Sequence, residues 1–587
     1  MIFTRRIHVL LFAVGVVAFS VVVWDLTMGG FYFTVGGVRV SSWEADKPFR
    51  YGMLAIVATL ALYDRTAAPH ATSWQWIERS SFAIAGAVAM ASAIVAVRYG
   101  IFAAGGADGY GYVSQAHLWA SRRIVVPDPL APLEPVLGSA VAPLGYRLGP
   151  TPGTIVPIYA PGLPMAMAAA LRIAGPAAVY FVVPLLGALT VWLTYVLGAR
   201  TDRPLTGMLA AVLVAFSPIF MFHTLVPMSD VPATAWWMLA WVFAILPGTA
   251  APLASGLAAS AAILTRPNLV PLAIVLLAVV AAPKPRLPRE ALFAAGVVPG
   301  CLAIAAINAR LYGSPLASGY GPFELLYAWN RWKVNLQHYS GWLVDQQTPL
   351  ILLAFLAPVA ARVRHAKAML AFFGVLLLCY LWYLTYDMWS FLRFLLPAIP
   401  LLFILASAVV IKLAEALPIF LRSSALIIVA TLLPIWYVAK ADSLTVFDMR
   451  RAEQRYVAVG EHAGRALPAN AIVLTVIESG SVRLYGSRPT VRWDMIEPER
   501  LDSQIDTLRT RGYRPYLLLE EWELPLFRER FGAASQYGRV DWPPAFEYRD
   551  IHNVRIHDFA DRVRHLAHEE IVTEPVPNRC QVLGAGC

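Results

Sequence analysis

The sequence predicts an α-helical polytopic membrane protein of about thirteen transmembrane helices that ends in an extracytoplasmic α/β domain. Three observations carry this. The 587 residues are 58% hydrophobic and only 14% charged, with a mean hydropathy of +0.60, too apolar for a soluble chain of this length. Apolar runs recur from the N-terminus to about residue 438, separated by short basic loops. After about residue 440 the charge rises, and short apolar runs alternate with amphipathic stretches.

The N-terminal MIFTRRIHVLLFAVGVVAFSVVVW has a basic start and a long apolar run. No small-x-small cleavage site follows before Trp24 and Asp25, so it reads as an uncleaved first span with Arg5 and Arg6 in the cytoplasm. With 7–24, the apolar runs lie near 50–63, 81–98, 176–199, 204–222, 231–247, 251–265, 268–283, 291–311, 347–361, 368–386, 393–411 and 418–438. Several are shorter than the ~20 residues usual for a span. Three regions result: residues 1–80, N-terminal spans with a small external hairpin at GGFYFTVGGVRVSSW; 81–438, a transmembrane module with a large external loop at 99–175; and 440–587, the extracytoplasmic domain.

Orientation turns on PGLPMAMAAALRIAG, residues 161–175, which is apolar but brief and contains Arg172. If it does not cross, the cytoplasmic loops are those holding Arg65 and Arg79, Arg200 and Arg203, Lys284, Arg286 and Arg289, Arg362, Arg364 and Lys367, and Lys412 and Arg422. If it crosses, KPRLPRE and RVRHAK lie outside, against the positive-inside tendency. It therefore reads as an interfacial helix on the outer face of the cytoplasmic membrane. The same parity puts HTLVPMSD at 223–230, the TRPN break at 265–268, YGSPLASGYG at 312–321, YDMWSFLR at 386–393 and the tail on that side.

In the tail, AEQRYVAVGEHAGRA reads as a helix, AIVLTVI as a buried strand, PERLDSQIDTLRTRG as an amphipathic helix and RPYLLLEE as a second strand. Alternation of this kind predicts a small α/β domain that folds on its own. Cys580 and Cys587 can pair only if the tail is in an oxidising compartment. The net charge of +10 falls in loop clusters rather than in a basic patch, which excludes nucleic acid as a partner. No metal-ligand spacing occurs and no cofactor is required, though paired carboxylates leave room for a divalent metal.

In GGADGYGYVSQAHLWA, Asp108 lies in a glycine-rich turn ahead of Tyr112, Gln115, Ala116 and Trp119, whose spacing predicts a surface helix with this stripe toward the bilayer. Asp108 has an ordinary role open to it as a helix cap, and so has Asp230 in MSDVPATAWW. Arg393 has one in snorkelling to the interface. Those roles leave a pattern unexplained: two carboxylates, Asp108 and Asp230, and two guanidiniums, Arg266 and Arg393, at span ends on one face. Arginine binds phosphate bidentately and a carboxylate orients or deprotonates a nucleophile, so the array suits a lipid-phosphate substrate. Tyr110 and Tyr112 are read as interfacial, with stacking on a sugar as the second role. His223 and Asp387 are secondary candidates.

ADGYGYVSQAHLW, YAPGLPMAMAAALRIAG, LTYVLGARTDRPLTGMLAAVLVAFSPIFMFHTLVPMSDVPATAWW, LTRPNL, YGSPLASGYG and WSFLRFLLPAIPLL together resemble the GT-C superfamily of polytopic glycosyltransferases, near the protein mannosyltransferases and lipid A aminoarabinose transferases. The resemblance covers roughly residues 81–438. It implies a glycosyltransferase that takes a sugar from a polyprenyl-phosphate-linked donor and gives it to a hydroxyl of a glycan, lipid or protein acceptor. It also implies that Asp108 acts on the acceptor, that Asp230 is the second acidic position, and that Arg266 and Arg393 contact the donor phosphate. The sequence departs from the family where Gly109, not an acidic residue, follows Asp108. A transporter or flippase of a lipid-linked sugar is the alternative, but neither an inverted repeat nor a matching pair of broken segments accompanies the ionisable span ends.

Overall fold

The computed structural model describes residues 75–577 apart from 418, together with short stretches between 10 and 55. Arg5, Arg6, Arg65, Cys580, Cys587 and most of the first two apolar runs lie outside the described residues. The predicted hairpin is present, with β1 (Phe31–Val35) antiparallel to β2 (Val38–Ser42).

The chain is a multi-pass membrane protein. Among the described residues, Glu78–Tyr99, Pro176–Thr201, Arg286–Tyr312 and Trp389–Glu415 are long and apolar enough to cross a bilayer, and two bent helix pairs raise the number to six. Other apolar runs fold as helices of 10–17 residues, among them Asp230–Ile245, Ala251–Thr265, Leu272–Ala281 and Ala366–Leu381. Hydropathy counts carbon and does not see backbone breaks. The run at 204–222 bends by 61° because Pro218 keeps Ser217 extended at φ −55°, ψ 125°. The run at 347–361 meets the preceding helix, Trp329–Gln347, at a 106° bend at Thr348, whose φ is +58°, just ahead of Pro349. Trp389–Glu415 is enclosed along its length, packed by Pro204–Phe216 and Pro349–Leu356 among others.

The loop at 99–175 is structured. It holds helix Asp108–Ala120, a small antiparallel sheet in the order β3 (Val126–Pro127), β5 (Thr154–Pro157), β4 (Tyr146–Leu148), and helix Gly162–Ala174. This last helix, predicted to lie along the interface, packs on Asp108–Ala120 through Leu163 and Met167 and leaves Ile173 exposed. The stripe predicted to face lipid points inward instead. Tyr112, Gln115 and Ala116 are buried, and Gln115 donates to the Tyr159 carbonyl at 3.3 Å.

All four predicted tail elements form: helix Met449–Ala466, β6 (Ala471–Leu474), helix Leu501–Thr510 and β8 (Arg514–Glu520). With β7 (Thr490–Val491), β9 (Phe546–Tyr548), β10 (Val554–Asp558) and β11 (Glu574–Pro575) they make a six-stranded mixed sheet in the order β11-β9-β10-β8-β6-β7. β6 pairs parallel with both β7 and β8, while β10 runs antiparallel to β8. The tail does not complete its core alone. One face of the sheet buries Leu130, Leu133, Leu137, Ala140 and Val141 of the 99–175 loop against Ile472, Leu517 and Leu519. Arg483 clamps the junction, donating to Asp128 at 3.4 Å and to the Val141 and Thr490 carbonyls.

Three carboxylates, Glu478, Glu520 and Glu523, are buried near the ends of β6 and β8. Burial, with the nearby Glu520 charge, pushes Glu478 up to about 8 from the ordinary 4.5, and burial pushes Glu523 up to about 7. A carboxyl with a raised folded pKa keeps its proton where the unfolded chain has lost it. The folded state therefore binds more protons between pH 4.5 and about 8, and stability falls as pH rises through that window. Glu478→Gln is expected to flatten this slope: the melting temperature of the full chain stays unchanged near pH 5 and rises by ~2 °C or more above pH 8. Thermal scans of both proteins across pH measure it, and parallel curves exclude the effect.

Candidate active site

Four charged side chains from four separated segments meet at one point. Asp108 is the first residue of Asp108–Ala120 and Asp230 the first of Asp230–Ile245, and neither carboxylate caps its helix. Pro267 ends helix Ala251–Thr265 by holding Arg266 out of the helical region at φ −144°, ψ 89°, which leaves the guanidinium at the helix end. Arg393 sits in the 3₁₀ segment Trp389–Ala398. Arg266 donates to Asp230 Oδ1, and Arg393 Nη1 donates to Asp108 Oδ2 at 3.3 Å while its Nε lies 4.0 Å from Asp230. Arg393 thus bridges the two carboxylates rather than snorkelling.

The four differ in access. The Asp230 side chain is 0% exposed, Arg266 11%, Arg393 17% and Asp108 33%. Asp230 is fully enclosed, paired with Arg266 and close to Arg393. Asp108 is the open carboxylate. Two positive and two negative charges balance, which leaves the two guanidiniums oriented and stripped of most water.

Neutral groups fix this array. Arg266 also donates to Ser229 Oγ and to the Tyr380 hydroxyl, each at 3.3 Å, and Tyr112 donates to Ser229 Oγ at 2.8 Å. Arg393 lies over the rings of Phe391 and Phe394, at 4.7 and 5.4 Å. Tyr159 packs on Tyr112 with ring centroids 4.5 Å apart, while Tyr320 meets Tyr159 edge-on at 5.8 Å. Gly111 permits the approach, since a Cβ there would fall 2.1 Å from the Tyr159 ring.

The remaining candidates separate. Tyr112 belongs to the site; both it and Tyr110 are buried in the protein, Tyr110 against Tyr146 and the C-terminal domain. His223 is buried, with Nε2 3.1 Å from the Ser390 carbonyl and Nδ1 3.9 Å from Asp230, where it supports the array. Asp387 is exposed and outside the cluster. Sequence reasoning did not single out Tyr159, Tyr320 and Tyr380, although Tyr159 opens YAPGLPMAMAAALRIAG and Tyr320 falls in YGSPLASGYG. Among the described residues no group of three or more His, Cys, Asp or Glu could hold a metal ion.

No family model and no curated protein matches the chain. Among solved structures it is similar to ArnT from Cupriavidus metallidurans bound to undecaprenyl phosphate, with 13% identity and a TM-score of 0.50 over 83% of this chain and 98% of that one. The apo state of that protein matches at 12% identity and a TM-score of 0.50, over 82% and 97% of the two chains. The Archaeoglobus fulgidus oligosaccharyltransferase tethered with an acceptor peptide matches at 11% identity and a TM-score of 0.48, over 82% and 74%. Identities this low speak to architecture, and on that level the chain has the fold of the GT-C glycosyltransferases.

Proposed function

We propose that the chain is a glycosyltransferase that moves a sugar from a polyprenyl-phosphate-linked donor to an acceptor hydroxyl at the outer face of the cytoplasmic membrane. Its N-terminus is then cytoplasmic and its C-terminal domain extracytoplasmic. The observation that carries the reading is the Asp108–Arg393–Asp230–Arg266 array, with one open carboxylate and two oriented guanidiniums. The fold shared with a protein solved with undecaprenyl phosphate supports the donor class.

In this reading the donor's tail lies in the bilayer and its phosphate rests on Arg266 and Arg393. A phosphate on Arg393 competes with Asp108 for the same guanidinium, so donor binding releases Asp108. The acceptor oxygen bonds to the anomeric carbon as the bond from that carbon to the phosphate oxygen breaks. The electron pair leaves with the phosphate, where the guanidiniums stabilise it, and the acceptor proton passes to Asp108. Asp230 makes no contact with substrate and holds both arginines in place.

Glycoconjugates from cells with and without the chain, compared by mass spectrometry, test the reaction. Loss of one defined sugar addition with accumulation of its polyprenyl-linked donor is expected, and identical profiles overturn the proposal. In the purified chain, Arg393→Gln is expected to lower kcat by ~10²-fold, the usual cost of one preorganised donor to a developing anion, and to raise the donor KM. Unaltered constants remove Arg393 from the phosphate site.

A further inference from the structure

The C-terminal domain touches the segment that leads into Asp108. Every part of the segment leading into Asp108 rests on it. Arg450 donates to the Arg98 carbonyl at 2.8 Å and lies 5.3 Å over the Phe102 ring. Val457 packs with Ile101 and Ala103. The Ala104 N–H donates to the Tyr485 hydroxyl at 2.8 Å. The Tyr456 ring lies so close to Gly105 that a Cβ there would fall 1.8 Å from it, and its hydroxyl would be 3.3 Å from a Cβ on Gly106, whose φ is +58°. Beyond Asp108, the Tyr110 ring packs on Gly480, where a Cβ would fall 2.2 Å from it.

Tyr456 is itself fixed from the sheet. Arg455 lies 4.2 Å over its ring and donates to its hydroxyl at 2.8 Å. Arg455 is held by Glu520 at the end of β8, through Nε to Oε1 at 2.8 Å, and Glu520 accepts a second bond from Trp522 at 2.7 Å. Unbroken contact therefore runs from the end of β8 through Glu520, Arg455 and Tyr456 to the Gly105–Gly106 turn, two residues before Asp108. A turn of two glycines has little stiffness of its own, so the ring pressed onto it sets where the next residues go.

We infer that Tyr456 is a positioning residue for Asp108, and that the C-terminal domain is through it a working part of the transfer site. This rests on the proposed glycosyltransferase reading. Misplacement of a reacting group by about 1 Å costs up to ~10²-fold, while donor phosphate binding on the arginines needs no contact with Tyr456.

The experiment uses the full chain in lipid nanodiscs and compares Tyr456→Ala, Tyr456→Phe and Gly105→Ala with wild type in steady-state kinetics and hydrogen exchange. Tyr456→Ala is expected to lower kcat by ~10- to 100-fold with the donor KM unchanged, to raise exchange over residues 98–112, and to leave β6 and β8 protected. Tyr456→Phe, which keeps the ring on Gly105, restores kcat to within ~3-fold of wild type. Gly105→Ala drives the ring aside without touching the domain core and reproduces the Ala phenotype, which covers the case in which Tyr456→Ala does not fold. Wild-type kcat and unaltered exchange over 98–112 in the Ala variants overturn the inference. Absence of any sugar transfer by wild type overturns the glycosyltransferase reading instead, while the exchange data still decide whether Tyr456 orders the segment.

Discussion

Asp108→Asn is expected to lower sugar transfer by ~10²- to 10⁴-fold in a chain that folds and still binds the polyprenyl carrier. The size follows from the role: general-base catalysis contributes that range, and an amide of the same shape accepts no proton. Stability changes little, because Asp108 is the exposed end of its pair with Arg393, 33% open, and ion pairs with that much water contribute ~0–1 kcal/mol. Carrier binding has a direction of its own. Asp108 occupies Arg393 Nη1 in the free chain, so its neutralisation frees that guanidinium and carrier phosphate binds as tightly as in wild type or more tightly. Turnover and carrier binding, measured on the same preparation, check both parts. Lost turnover with equally lost binding would make Asp108 a structural support of Arg393, and wild-type turnover would remove it from proton transfer.

The charged part of the site was legible because ionisable groups stand out against an apolar sequence, and Asp108, Asp230, Arg266 and Arg393 are where such groups meet span ends. Their pairing was not, since four segments up to 285 residues apart in sequence must fold before Arg393 finds Asp108. Tyr380, and Tyr159 even though it opens YAPGLPMAMAAALRIAG, were passed over for the opposite reason: tyrosine is common near bilayer interfaces, and nothing local separates one on a site from one in a lipid belt. Tail elements were read well from periodicity, yet the sheet's dependence on Leu130, Leu133 and Leu137 was hidden, because in a proline-rich stretch that spacing looks like loop. The bends at Ser217 and Thr348 were not legible, because they are backbone effects to which side-chain hydropathy is blind.

Asp230→Ala carries the largest expected loss of stability in the molecule. Its carboxylate is wholly enclosed, receives Arg266, and lies within 4.0 Å of both Arg393 and His223. Removal leaves the Arg266 guanidinium, itself only 11% exposed, without a counter-charge, and breaking such a buried pair from one side costs about 3–5 kcal/mol. Removing both partners is a different matter: Asp230→Asn with Arg266→Gln takes both charges away and leaves amides able to bond to each other, so most of the stability returns. Transfer does not return, because the phosphate has lost one of its two cations. Thermal stability of Asp230→Asn, Arg266→Gln and the double variant, set out as a cycle, gives the coupling energy of the pair. A coupling near zero would mean that water reaches Asp230 and that Arg266 is held by Ser229 and Tyr380 alone. A large coupling joined to dead but stable double-variant protein separates the two jobs of the array. Asp230 then builds the site, while Arg266, Arg393 and the open Asp108 perform its chemistry.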